Sequence, residues 1–147
     1  MKRPRFSLQA VLDLREKAKQ KAEEVFAAAV RDRDIAAARV AEAAARLEEL
    51  TRMISGERFP AYVREQGWNA LRAQRDLLRT LQVRLAQEEK KVAEKRELLV
   101  LADRDRQLVV KLREKWSARV RAEQALAEEK QLEDFVTAVR FLQPATQ

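Results

Sequence analysis

Apolar residues return every seven positions along most of the chain, in two long runs separated by one interruption. In the first run, one series reads Leu12, Lys19, Phe26, Arg33, Val40, Leu47, Ile54 and the other Leu8, Arg15, Ala22, Ala29, Ala36, Ala43, Leu50. Two interleaved seven-residue series predict a coiled-coil seam rather than the broader stripe of a globular helix. The run of alanines keeps that seam thin, so a partner helix can approach closely. Lys19 and Arg33 break it with charge, which can fix register at some cost in stability. The second run opens at Trp68 and carries Leu71, Leu78, Leu85, Val92 and Leu99, with companions Gln74, Leu81, Glu88, Lys95 and Ala102. Past Leu99 an eleven-residue count takes over: Leu98, Val109, Val120; Leu101, Leu112; Asp105, Trp116. Such a count predicts a stutter that relaxes the supercoil. Leu126, Leu132, Phe135, Val136 and Val139 keep helical spacing to the end, and no stretch alternates as a strand would.

The helix breakers sit where the periodicity lapses. Both glycines, Gly56 and Gly67, and the only interior proline, Pro60, fall in one stretch, while Pro4 and Pro144 lie at the ends. Glycine caps helices by adopting positive φ, and proline cannot continue a helix. The spacing therefore predicts a helix over 6–55, a break over 56–67 and a helix over 68–142, within a single coiled-coil domain. Ser7 is the expected N-cap, with Phe6 and Val11 as a hydrophobic staple. Folded back about the break, the alanine-thin middle of the first run faces the leucine-rich stretch from Leu81 to Leu101, with Arg33 near Glu88 and Glu89. At 1.5 Å per residue the helices span roughly 75 and 110 Å, so about twenty C-terminal residues outrun the first helix. Leu132, Phe135, Val136 and Val139 are thereby left without an intrachain partner. The expected fold is an all-α, two-helix antiparallel coiled-coil hairpin whose second helix is the longer.

Composition agrees and narrows the function. Of 147 residues, 37% are charged and 5% aromatic, which suits long solvated helices and not an ordinary compact core. The net charge of +7 comes from 31 basic and 24 acidic residues, finely interleaved as on a solvated helix face. With no histidine and no cysteine there is no imidazole base, thiolate or usual zinc site, and the two glycines form no phosphate loop. Carboxylates need a pocket to tune them for catalysis, and two long helices offer none. No enzyme, no metal and no cofactor are expected, nor a transmembrane segment or signal peptide, and cytoplasm is the default location. A basic patch of Lys111, Arg113, Lys115, Arg119 and Arg121 surrounds Trp116, without the aromatic array that base stacking requires. A solvated face is the preferred reading of it, and no nucleic acid partner is expected. Trp68 either packs the loop or anchors a partner, since tryptophan is common at interface hot spots.

The opening Phe6-x-Leu8-Gln9-x-Val11-Leu12-Asp13-Leu14-Arg15, followed by alanine-rich heptads, resembles the start of the FliJ family of the flagellar type III export apparatus. Lys130-Gln131-Leu132-Glu133-Asp134-Phe135 is similar to that family's Lys-x-Leu-Asp-Glu element, with the two acidic residues here in the order Glu-Asp. The YscO-type stalk protein of the virulence injectisome is a related alternative. A generic coiled-coil scaffold and a basic nucleic-acid-binding rod are the others. The resemblance implies a fold like the central stalk of a rotary ATPase. It also implies binding to a hexameric export ATPase through the helical ends, here Leu8, Leu12, Leu132, Phe135 and Val139. A contact with the cytoplasmic domain of the export gate membrane protein follows as well, assigned to Trp68, Leu71, Leu77 and Leu81. Escort of export chaperones and a peripheral position at the inner-membrane export apparatus complete what the resemblance implies.

Overall fold

The computed structural model describes residues 3–56 and 59–143. Two helices account for nearly all of them, α1 (Gln9–Gly56, 48 residues) and α2 (Ala61–Leu142, 82 residues), and no strand occurs among the described residues. This is the all-α hairpin that the heptads predict, with the second helix the longer. The chain groups into two compact units, Ala18–Ala102 and Met1–Lys17 with Asp103–Gln147.

In the Ala18–Ala102 unit the two seams interlock as antiparallel partners. Ala29, Ala36 and Ala43 are buried, and Lys19, Ala22, Phe26, Arg33, Val40, Leu47, Leu50 and Ile54 are half-buried. On α2, Leu71 and Glu88 are buried and every other expected seam residue from Gln74 to Ala102 is half-buried. Helix–helix approach is close enough for the Gln74 side-chain amide (Nε2) to donate to the Ala43 carbonyl at 3.1 Å. Ala43→Leu would both overfill that contact and displace the bond, at a cost of about 1–3 kcal/mol. A thermal melt should show a clear drop, and an unchanged melting temperature would mean that Ala43 does not face α2. Glu88 is only 5% exposed, yet its carboxylate meets Arg84 Nε and Lys91 Nζ, each at 3.6 Å. Arg33, expected beside Glu88 and Glu89, pairs instead with its neighbour Asp34 at 2.9 Å. Pairing along the same helix satisfies Glu88 without a cross-helix partner.

The interruption is shorter than 56–67. The Pro60 carbonyl accepts from the Val63 and Arg64 amides at 3.0 and 3.1 Å, so α2 starts at Ala61, seven residues before Trp68. Proline suits this edge of a helix because its fixed φ is already helical and its missing N–H costs nothing there. Gly67 is therefore a helix-interior residue, and neither glycine has positive φ. A Cβ at Gly67 would lie 3.1 Å from Ile54 Cδ1, so what glycine eases here is the close approach of α1 and not a turn. Glu57 and Arg58 of the expected break, and Pro144, lie outside the described residues. The last turns of α1 carry Thr51 and Ser55, whose hydroxyls donate to the Leu47 and Thr51 carbonyls at 2.8 and 2.6 Å.

In the unit of Met1–Lys17 with Asp103–Gln147, α1 begins two residues after Ser7. The Leu8 carbonyl accepts the first helical bond from the Leu12 amide at 2.9 Å, and Phe6 lies against Trp116, ring centroids 5.4 Å apart. The expected Ser7 cap and Phe6–Val11 staple give way to this aromatic contact. Arg15 Nη1 donates to Asp105 Oδ2 at 3.4 Å, which fixes the same antiparallel sense as the ring pair. The eleven-residue count holds only in part. Val109 is buried and Trp116 and Val120 are half-buried, but Leu98, Leu101, Asp105 and Leu112 are exposed, and buried or half-buried residues also recur seven apart: Ala102, Val109, Trp116 and Asp103, Val110, Ser117. Apolar residues misled the count because polar ones hold the seam here. Arg106 Nη2 donates to Asp103 Oδ1 at 3.1 Å and Gln107 Nε2 to Asp103 Oδ2 at 2.9 Å.

Candidate partner-binding surfaces

The N-terminal segment covers α2 no further than Val120. From Arg121 to Gln143 every described residue is exposed. Leu132 and Phe135 are 65% and 67% exposed, and Val136 and Val139 somewhat less. Phe141 and Leu142, which the sequence reading did not single out, are the barest, at 91% and 82%. The signal for Leu142 was present, since it stands seven residues after Phe135. Leu132, Phe135, Val136, Val139 and Leu142 recur at helical spacing, with Phe141 on the opposite side of the helix, and Thr137 keeps its hydroxyl on the Glu133 carbonyl at 2.8 Å, so the turn carrying them is regular. An apolar helix face of this kind binds by burial against a complementary groove.

The two ends assigned together from the resemblance are not one patch. Leu12 is wholly enclosed, at 0% exposure, and serves as core. Leu8 lies near the cap, within a turn of the Phe6–Trp116 pair, and is partly exposed. From Trp116 to Leu132 is roughly 24 Å along the helix. Leu132, Phe135 and Val139 thus stand apart from Leu8 and Leu12, because Phe6, ahead of α1, already lies against Trp116 and the later turns are left uncovered.

The four residues assigned to the export gate divide as well. Leu71 is 2% exposed and Leu81 half-buried, both in the seam, while Trp68 and Leu77 are exposed. Nine residues apart at about 100° each, Trp68 and Leu77 stand on opposite flanks of α2. Half of the Trp68 surface lies in solvent. Leu77 borders a shallow groove of about 190 Å³ with Ala43, Gln74 and Leu81. A second groove, of about 330 Å³, continues beside Leu81 with Ile35, Ala36 and Glu88. Ile35, an exposed off-seam residue, was not expected from the heptads.

Among the described residues no group of carboxylates could hold a metal ion, and no helix is long and apolar enough to cross a membrane. Among the described residues the surfaces are helix faces and shallow interhelical grooves. No match was found among curated proteins or solved structures. The family model of the flagellar FliJ protein matches residues 4–143, which takes in both helices and the uncovered turns of α2. The chain belongs to the FliJ family, components of flagellar protein export.

Proposed function

We propose that this chain is a non-enzymatic stalk and adaptor that binds the hexameric export ATPase and couples it to the export gate. The uncovered end of α2 carries the reading: Leu132, Phe135, Val136, Val139, Phe141 and Leu142 present apolar surface with no intrachain cover. Burying each such side chain is worth about 1.5–3 kcal/mol, so several together favour insertion into an enclosing partner. A ring with a central opening suits a single exposed helix, because it can contact all sides at once. Leu8 and Leu12 support this end by fixing where α1 stops covering α2. The gate contact falls to the exposed residues of the assigned set, Trp68 on one flank and Leu77 with its groove on the other. Export chaperones are further partners, and the protein works in the cytoplasm at the inner-membrane export apparatus.

The test is to titrate the chain into the purified export ATPase, following co-sedimentation and ATP hydrolysis, with the gate's cytoplasmic domain titrated in parallel. Saturable binding to the ring with faster hydrolysis is the expected result. No association with the ring at micromolar concentration would overturn the stalk assignment.

A further inference from the structure

A second exposed surface on α2 is unlike the bare C-terminal turns. Leu108, Lys111, Leu112, Lys115, Arg119 and Leu126 fall within about 60° of one line along the helix at 100° per residue. All six are exposed, with Leu108, Leu112 and Leu126 each at roughly half exposure or more. The buried stripe through Val109, Trp116 and Val120 lies on a different face of the same turns. The Phe6–Trp116 contact also brings the exposed residue Arg5, next to Phe6 in the chain, near these turns of α2. None of Arg3, Arg5, Lys111, Lys115 and Arg119 forms an ion pair with a described residue. Of the carboxylates along this face, Asp105 is taken by Arg15, while Glu123 at its edge and Glu129, one turn past Leu126, lie beyond Arg119, so the cations dominate from Leu108 to Arg119.

We propose that this basic, leucine-bearing face of α2 is a docking surface for an anionic lipid bilayer. Leucines interleaved with lysine and arginine on one helical face are what an interfacial helix needs: shallow apolar burial plus attraction to acidic headgroups. Nucleic acid fits less well, because the ring available for stacking, Trp116, is half-buried against Phe6. A second copy of the chain would set cations against cations. The proposal does not depend on the ATPase reading, since a vesicle contains no ring.

Flotation of the full chain with vesicles tests it, using phosphatidylcholine alone or mixed with phosphatidylglycerol, at low and at physiological salt. Binding is expected only with phosphatidylglycerol and weaker at the higher salt. The triple variant Lys111→Glu, Lys115→Glu, Arg119→Glu should weaken it on the order of a hundredfold, since each basic residue near an anionic surface contributes about fivefold. A control with the same charge change elsewhere, Lys21→Glu, Arg31→Glu, Lys90→Glu, should keep most of it. Leu108→Ser with Leu112→Ser should weaken binding without any change in charge, and circular dichroism should show parental helix content in every variant. Equal binding to both vesicle types, or equal loss in the control, would overturn the proposal. So would binding to an oligonucleotide that the triple variant abolishes, in the absence of vesicle binding.

Discussion

Changing Leu132 and Phe135 together to aspartate is expected to abolish binding to the export ATPase and its stimulation, while helix content stays near that of the parent. Both side chains are about two-thirds exposed, at 65% and 67%, so the free protein loses no seam packing. The cost to the helix itself is small, because aspartate is less favourable than leucine by about half a kcal/mol per position. In the complex the balance is different. Each lost apolar contact removes about 1.5–3 kcal/mol, and each new carboxylate must be stripped of water inside an apolar groove. Together these exceed about 4 kcal/mol, or a thousandfold in affinity. Circular dichroism and an ATPase titration on the same sample separate the two effects. A double variant that binds and stimulates like the parent would remove this end of α2 from the interface.

Leu71→Ala should act in the opposite manner, on the fold first. Leu71 is 2% exposed in the seam of the Ala18–Ala102 unit, one turn after Gly67, where α1 approaches closely. Truncating an enclosed leucine costs about 2–5 kcal/mol through lost transfer energy and the cavity left behind. Against a total stability that is commonly about 5–15 kcal/mol, this is a large fraction. Trp68→Ala, three residues away but exposed, should melt close to the parent. Any loss of gate binding by Leu71→Ala would therefore be indirect, whereas a loss by Trp68→Ala or Leu77→Ala would report contact. Equal melting temperatures for Leu71→Ala and the parent would contradict the seam position.

The seam was legible because packing imposes a period. Leu78, Leu85, Val92 and Leu99, and the alanines from Ala22 to Ala43, must recur every seven residues for two helices to stay in contact, and the recurrence is visible in the residues themselves. The period became hard to follow where polar groups satisfy one another inside it. Asp103 and Arg106 occupy seam positions as an ion pair, so counting apolar residues jumped to the exposed Leu98, Leu101 and Leu112. Gly67 misled for a related reason, since a glycine that permits close packing has the same letter as one that ends a helix.

Surfaces that meet partners carry no such period. Leu12 and Leu71 look like exposed Leu77 and Leu132 in the chain, and only the register against the other helix separates core from exposed surface. Phe141, nine residues after Leu132, falls on the opposite side of α2 and continues no apolar series, whereas Leu142 continues the one through Phe135. The basic flank around Lys111, Lys115 and Arg119 was visible as charge. Its leucines, and the approach of Arg5 through Phe6, needed the fold.

The most direct measurement is site-specific photocrosslinking to the assembled export ATPase. A photoreactive side chain replacing Phe135 should crosslink to ATPase subunits in the complex, and the same group replacing Val25, an exposed residue of α1 in the Ala18–Ala102 unit, should not. Crosslinks from position 25 with none from position 135 would contradict the account, because the uncovered turns of α2 would then lie outside the ring.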